Sequence, residues 1–198
     1  MPDQIRSFWS WFSSNQSRFW NLEQERENLV PELVEHLRLL SPNLTIEFEA
    51  PKNGVREMAI SADGVEKDFP LVEQLVAAAP TMQGWHVVAF RQPSKIQGME
   101  LKYPGITLDT DRMWMMPIED DQGFDLIVFF PNYSDDRRNL FINATYVLLD
   151  NAIGEYNVVK GIRTLDFQKL PPVGDRRGIL PFVDLPKVFA AYQAKHHR

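Results

Sequence analysis

The chain of 198 residues contains no cysteine and carries a formal net charge of −6 at pH 7. The absence of cysteine excludes disulfide bonds, thiolate catalysis and metal centres built on sulfur. The acidic balance disfavours binding to nucleic acid and to anionic membranes. With 44% hydrophobic and 24% charged residues, the composition is that of a globular protein with one core, and we predict a single domain over residues 1–198. We expect a cytoplasmic protein because neither a signal peptide nor a membrane span is recognisable.

Residues 1–41 are predicted to be a helical N-terminal segment. Apolar residues in the stretch 5–12 recur at i, i+3, i+4 and i+7, which is the pattern of one helical face. The polar stretch 13–17 is predicted to end this first short helix. A second, leucine-rich helix follows, and Pro31 is predicted either to kink it or to lie in the first turn of a restarted helix.

Residues 44–91 are predicted to form a β-β-α-β unit. Alternation of apolar and polar residues predicts a strand at 44–48. The Asn53-Gly54 pair predicts the tight turn of a hairpin, because both positions of such a turn require positive φ. A helix with Asp68 as its N-cap follows, and a last strand completes the unit.

Residues 106–167 are predicted to repeat this order. Strand-like stretches at 112–118 and 124–130 flank an acidic turn, and a helix follows that ends at Gly154. A strand is predicted to begin at residue 156. The second segment therefore also reads as a β-β-α-β unit.

The remaining residues, 168–198, are rich in proline and glycine and are predicted to form a tail that wraps the domain. Together these patterns predict an α+β fold in which N-terminal helices pack on a mostly antiparallel sheet built from two β-β-α-β units.

Two carboxylates and one histidine are candidates for chemistry. Asp109 and Asp111 lie one residue apart on an extended segment and are candidate ligands for Mg²⁺ or Mn²⁺, although solvated turn carboxylates are the alternative. His86 lies in a predicted strand and is a candidate general base if Glu57 or Asp63 on a neighbouring strand orients it. A buried, hydrogen-bonded structural histidine is the other interpretation.

The N-terminus is unusually rich in large aromatic rings. Trp11 and Trp20 fall off the apolar face of the predicted helices and are candidates for binding a protein partner, for self-association or for covering a sheet edge. For the aromatic cluster as a whole core packing is the favoured interpretation and a protein interface is the alternative, whereas an interfacial membrane helix is disfavoured because few basic residues flank the cluster. The six rings that lie within thirteen residues are Phe8, Trp9, Trp11, Phe12, Phe19 and Trp20.

Several short motifs resemble those of a family of uncharacterised bacterial proteins. The similarity spans most of the chain and implies a bacterial cytoplasmic protein, but it implies no activity and assigns no functional residue. The motifs are Phe8-Trp9-Ser10-Trp11-Phe12, Ile60-Ser61-Ala62-Asp63-Gly64, Ala79-Pro80 followed by Gly84-Trp85 and Val88-Ala89-Phe90, and Leu149-Asp150-Asn151-Ala152-Ile153-Gly154-Glu155.

The chain contains no complete catalytic motif such as Gly-x-Ser-x-Gly or His-Glu-x-x-His. We therefore predict no cofactor, and a non-catalytic protein-binding or interaction protein is the leading hypothesis. An acidic adaptor or immunity protein that neutralises a basic partner is one version of it, because complementary charge steers such encounters. The alternative is a metal-dependent enzyme acting on a small phosphorylated or carboxylated substrate, with Asp109 and Asp111 as metal ligands and His86 as base.

Overall fold

A computed structural model describes residues 2–196 of the protein, and the chain divides into two compact units, Met1–Arg91 and Gln92–Arg198. The described residues form six α-helices and nine β-strands, which confirms the predicted α+β class with helices at the N-terminus. The strands lie in three sheets, of which one belongs to the first unit and two belong to the second. The division falls between the two segments for which β-β-α-β units are predicted, and the assignment of one domain to the whole chain stays a prediction.

Two long helices begin the first unit: α1 spans Pro2–Trp20 and α2 spans Leu22–Arg38. The predicted break at 13–17 is wrong. Polar side chains in this stretch bond to carbonyls one turn earlier, as Ser14 Oγ does to Ser10 O at 3.0 Å, so they continue the helix instead of competing with it. Pro31 lies inside α2, but the backbone leaves helical dihedral angles at Glu25.

The sheet of the first unit has the predicted β-β-α-β connectivity. Strands β1 (Thr45–Phe48) and β2 (Arg56–Ser61) form an antiparallel hairpin. Helix α3 (Phe69–Ala77) then crosses to β3 (Trp85–Ala89), which pairs with β2 in parallel. The strands are ordered β1-β2-β3, and the Phe12 ring of α1 packs against Phe48 of β1 and Trp85 of β3.

The local signals in this unit have mixed outcomes. Asn53 and Gly54 have φ of 52° and 75°, as the predicted hairpin turn requires. Asp68 immediately precedes α3 but makes no side-chain cap bond to it. Its carboxylate instead accepts hydrogen bonds from Ser41 Oγ at 3.1 Å and Asn43 Nδ2 at 2.6 Å, and it therefore ties the end of the helical segment to α3.

The second unit contains a four-stranded sheet in the order β8-β7-β6-β9 and a separate β4-β5 hairpin. The β6-β7 hairpin is antiparallel and β8 pairs with β7 in parallel, which repeats the connectivity of the first unit. The predicted tail contributes to this sheet, because β9 pairs with the start of β6. The strands are β4 Glu100–Tyr103, β5 Ile106–Asp109, β6 Trp114–Asp120, β7 Gly123–Phe130, β8 Ile162–Lys169 and β9 Leu180–Pro181.

Three helices cover one face of this sheet: α4 (Arg138–Ile153), α5 (Glu155–Gly161) and α6 (Leu185–His196). The strand predicted to begin at residue 156 begins at Ile162 instead. Gly154, with φ of 84°, ends α4, and the residues that follow it form helix α5 before the strand. The core lies between the sheet and these helices, with Phe124 buried against Phe189 at 5.3 Å between ring centroids. No helix among residues 2–196 has the length and apolar character that crossing a bilayer requires.

Candidate functional site

The histidine singled out from the sequence meets one of its two predicted partners. His86 on β3 lies opposite Glu57 on β2, and its Nδ1 lies 3.1 Å from Glu57 Oε2. A carboxylate at Nδ1 fixes the orientation of the ring, as a general base requires. The His86 side chain is 62% exposed, however, so it is not a buried structural histidine, and it lacks the exclusion of water that strengthens active-site electrostatics. Asp63 pairs with Arg91 instead, at 2.9 Å.

The two candidate metal ligands have local backbone partners. Asp109 Oδ1 accepts a hydrogen bond from the Asp111 backbone N–H at 3.0 Å and so caps a short 3-10 helix. Asp111 Oδ1 accepts from the Gly98 N–H at 3.0 Å. Both belong to the second unit, whereas His86 belongs to the first. Across residues 2–196 no three histidine, aspartate or glutamate side chains are grouped as a metal site would need, and the metal role of these aspartates stays a prediction.

Trp20, one of the two candidate binding residues, packs within the first unit. Its ring meets Trp85 edge to face, with centroids 5.6 Å apart. The ring also covers Gly84, where a Cβ atom would lie 3.2 Å from Trp20 Cζ3 and where φ is 83°. Trp20 is half-buried as a result, and part of its role is to cover the start of β3.

Trp11, the other candidate, faces α2. Its ring stacks on the imidazole of His36 with centroids 3.7 Å apart and planes inclined by 19°. It also meets Phe19 edge to face at 5.5 Å. Trp11 therefore falls off the apolar face of α1 because it lies at the seam between two helices. Both Trp11 and His36 remain half-buried, so the stack is accessible from solvent.

Helix α2 also carries exposed acidic side chains. Glu25, Glu27 and Glu35 are exposed, and none of them belongs to the ion pairs of Arg18 and Arg56, which use Glu32 and Glu23. Residues 1–91 contain 13 acidic and 8 basic residues, whereas residues 92–198 contain 14 and 13. Most of the net negative charge of the chain therefore lies in the first unit. We call the Trp11–His36 stack together with Glu25, Glu27 and Glu35 the outer helical face.

In the second unit, by contrast, two neighbouring carboxylates are paired with one arginine. Arg163 on β8 bonds Asp125 Oδ1 at 2.9 Å and both carboxylate oxygens of Asp120 at 3.1 Å. The hydrogen bonds from Arg163 are the main reason that the pKa of Asp125 lies well below its ordinary value, and the hydrogen bond from the Thr164 side chain is the second. These carboxylates are therefore committed to the fold and are poor candidates for a binding site.

This pairing predicts an acid-sensitive second unit. A carboxylate whose folded pKa is depressed stabilises the fold above its unfolded pKa, about 3.9 for aspartate, and this stabilisation is lost as the pH falls below it. We expect the Asp125→Asn variant to lose less unfolding free energy than the wild type between pH 6 and pH 3, as measured by urea denaturation. Asp136→Asn, at an exposed position without an ion pair, is the control. Equal acid sensitivity of Asp125→Asn and wild type would contradict the assignment.

Comparison with known proteins adds no functional assignment. No protein-family model, curated protein or solved structure matches the chain. The family resemblance inferred from the sequence motifs therefore stays a prediction.

Proposed function

We propose that this protein is a non-catalytic binding protein and that it engages a basic protein partner through the outer helical face. The observation that carries the proposal is the solvent-accessible Trp11–His36 stack on an acidic helical hairpin. Aromatic side chains at the centre of a contact with a polar surround are the usual anatomy of a protein interface. The proposal places the protein in the bacterial cytoplasm, as the sequence resemblance implies.

The charge of the first unit selects the kind of partner. An excess of carboxylates on one unit attracts and orients a basic surface during encounter. Arginine suits this face best, because its planar guanidinium can pair with a carboxylate and also stack on an aromatic ring. A second copy of the chain, the other predicted partner, would bring like charges together at the same face. For this reason the proposal commits to a basic partner.

Trp11 has the leading role over Trp20 in this proposal, because the Trp20 ring is already used to cover Gly84 and Trp85. The His86–Glu57 contact is the one feature that favours the alternative of a metal-dependent enzyme. That alternative still needs a set of metal ligands, and the described part of the chain does not group three. The binding protein is therefore the first proposal.

The proposal is tested by removing the charge of the outer helical face without disturbing its rings. We expect the triple variant Glu25→Gln, Glu27→Gln, Glu35→Gln to bind a deca-arginine peptide about tenfold more weakly than the wild type. The reason is that three surface ion pairs at about 0.5 kcal/mol each together contribute roughly the 1.4 kcal/mol that corresponds to a factor of ten in affinity. Fluorescence anisotropy of a labelled peptide at fixed ionic strength measures the effect.

A matched control separates a defined surface from total charge. The triple variant Asp121→Asn, Asp136→Asn, Asp175→Asn removes the same number of charges from exposed positions of the second unit. It should bind the peptide as the wild type does. Equal weakening by the two triple variants would show that only net charge matters, and the outer helical face would then lose its role.

A further inference from the structure

The first unit contains an open groove on a different side of α1 from Trp11. It lies between the N-terminal half of α1 and the end of α3, and its volume is about 480 Å³. Ile5, Trp9, Ala78 and Pro80 supply most of the apolar lining, and Arg6 and Ser10 stand at its polar side. The size lies within the range of small-molecule sites.

The walls of this groove are held by the fold. Trp9 is 4% exposed, and its indole N–H donates to the Leu75 carbonyl of α3 at 2.9 Å. This bond fixes the ring and joins α1 to α3. Helix α3 ends in small side chains just before Pro80, and Ala78 and Pro80 line the groove on the side of this helix. The groove is therefore a consequence of two rigid helices and of the small residues at the end of one of them.

Among residues 2–196, Arg6 is the only charged side chain that lines the groove, in a unit that has an excess of carboxylates. It pairs with Asp3 at 3.5 Å, and the two side chains are 80% and 92% exposed. An exposed pair of this kind is weak. A ligand carboxylate can therefore replace Asp3 and form a two-pronged, charge-assisted hydrogen bond with the guanidinium.

From this charge complementarity we infer that the groove binds a medium-chain aliphatic carboxylate, with its carboxylate on Arg6 and its chain over Trp9, Ala78 and Pro80. A saturated chain of about eight carbons is compatible with a site of this size. The inference concerns a small molecule and a different side of α1, so it is independent of the proposed binding of a basic protein partner.

Octanoate below its micellar concentration is the probe, and the indole N–H resonance of Trp9 in a ¹⁵N-labelled sample is the readout. We expect a saturable shift of this resonance and about tenfold weaker binding by Arg6→Gln, since a hydrogen bond to a charged group is lost. Ala78→Leu fills the groove and should abolish binding. Arg26→Gln, which removes the same charge from an exposed position of α2, should bind octanoate as the wild type does.

Two further comparisons can overturn the inference. Octylamine has the same chain with the opposite charge, and it should not cause a saturable shift. Binding of octylamine as tight as that of octanoate would remove the role of Arg6, and equal affinities of Arg6→Gln and Arg26→Gln would do the same. Unchanged octanoate binding by Ala78→Leu, with a wild-type circular dichroism spectrum, would place the ligand outside the groove.

Discussion

Replacing Arg56 with methionine is expected to lower the free energy of unfolding by about 3–5 kcal/mol, because several backbone carbonyls lose their hydrogen-bond donor. The Arg56 side chain is 1% exposed. Its Nη1 donates to the last carbonyls of α1, at Phe19 and Trp20, and its Nε donates to the Glu49 carbonyl at 3.0 Å. Nη2 pairs with Glu23 in the first turn of α2. One guanidinium thus joins two helices to the sheet.

The effect is large because methionine fills the space but cannot donate. The terminal carbonyls of a helix have no partner within the helix, and a cation near them also interacts favourably with the helix dipole. After the substitution these carbonyls would stay buried without donors, at about 1–3 kcal/mol for each unsatisfied group. Arg56→Lys should be intermediate, because lysine keeps the charge but lacks the planar fork.

Urea denaturation followed by tryptophan fluorescence measures this loss, since four of the five tryptophans lie in the first unit. Arg18→Met is the control. Arg18 pairs with Glu32 at 2.9 Å, but both side chains are partly exposed, and a surface pair contributes about 0–1 kcal/mol. A loss for Arg56→Met no greater than that for Arg18→Met would show that the buried contacts of Arg56 do not stabilise the unit.

The second large effect is expected at Phe12, the centre of the aromatic cluster. Its ring is fully buried. The ring stacks on Phe19 at 5.2 Å and meets Trp85 and Trp9 edge to face at 5.4 and 5.9 Å. We expect Phe12→Ala to cost about 3–5 kcal/mol, because the transfer energy of the ring is lost and a cavity remains among rigid neighbours.

Phe12→Leu provides the comparison for this cavity. Leucine keeps most of the apolar volume, so we expect a cost of about 1–2 kcal/mol, in the range of imperfect repacking. Urea denaturation of both variants, with near-ultraviolet circular dichroism as a probe of aromatic packing, measures the difference. Equal costs for alanine and leucine would mean that the neighbouring rings close the cavity and that Phe12 is not central to the cluster.

Local sequence signals predicted much of the fold. The Asn53-Gly54 turn follows from the positive φ that both positions need, and the hairpin-helix-strand order of each unit follows from periodicity and turn residues. The repeated connectivity was predictable because both segments carry the same succession of patterns. Helix and strand periods, however, do not show which strands share a sheet. For that reason the division into separate sheets was not foreseen.

The errors occur where long-range contacts decide the structure. The stretch 13–17 is polar, but its side chains bond back within α1. Residues 155–161 carry adjacent valines that favour a strand, yet packing makes them α5, with Val158 buried in the core. The β4-β5 hairpin was missed, although each of its strands is as long as β1 and the turn residues Pro104-Gly105 lie between them.

The candidate site shows the same limit. The pairing of His86 with Glu57 could be predicted because both were placed on neighbouring strands. The Trp11–His36 stack could not, because it joins two helices whose relative rotation no single helical period specifies. The one available signal was that Trp11 lies off the apolar face of α1. The anchoring role of Arg56 likewise depends on a contact across more than thirty positions of the chain.

The most direct measurement of the proposed function is a ¹⁵N–¹H spectrum of the five tryptophan indoles during titration with deca-arginine. The outer helical face predicts that the Trp11 resonance shifts progressively and saturates, whereas the resonance of Trp114, in the second unit, stays in place. The Trp9 indole, bonded to Leu75, should also stay in place. A saturating shift of Trp114 with none at Trp11, or peptide binding that moves neither, would contradict the account.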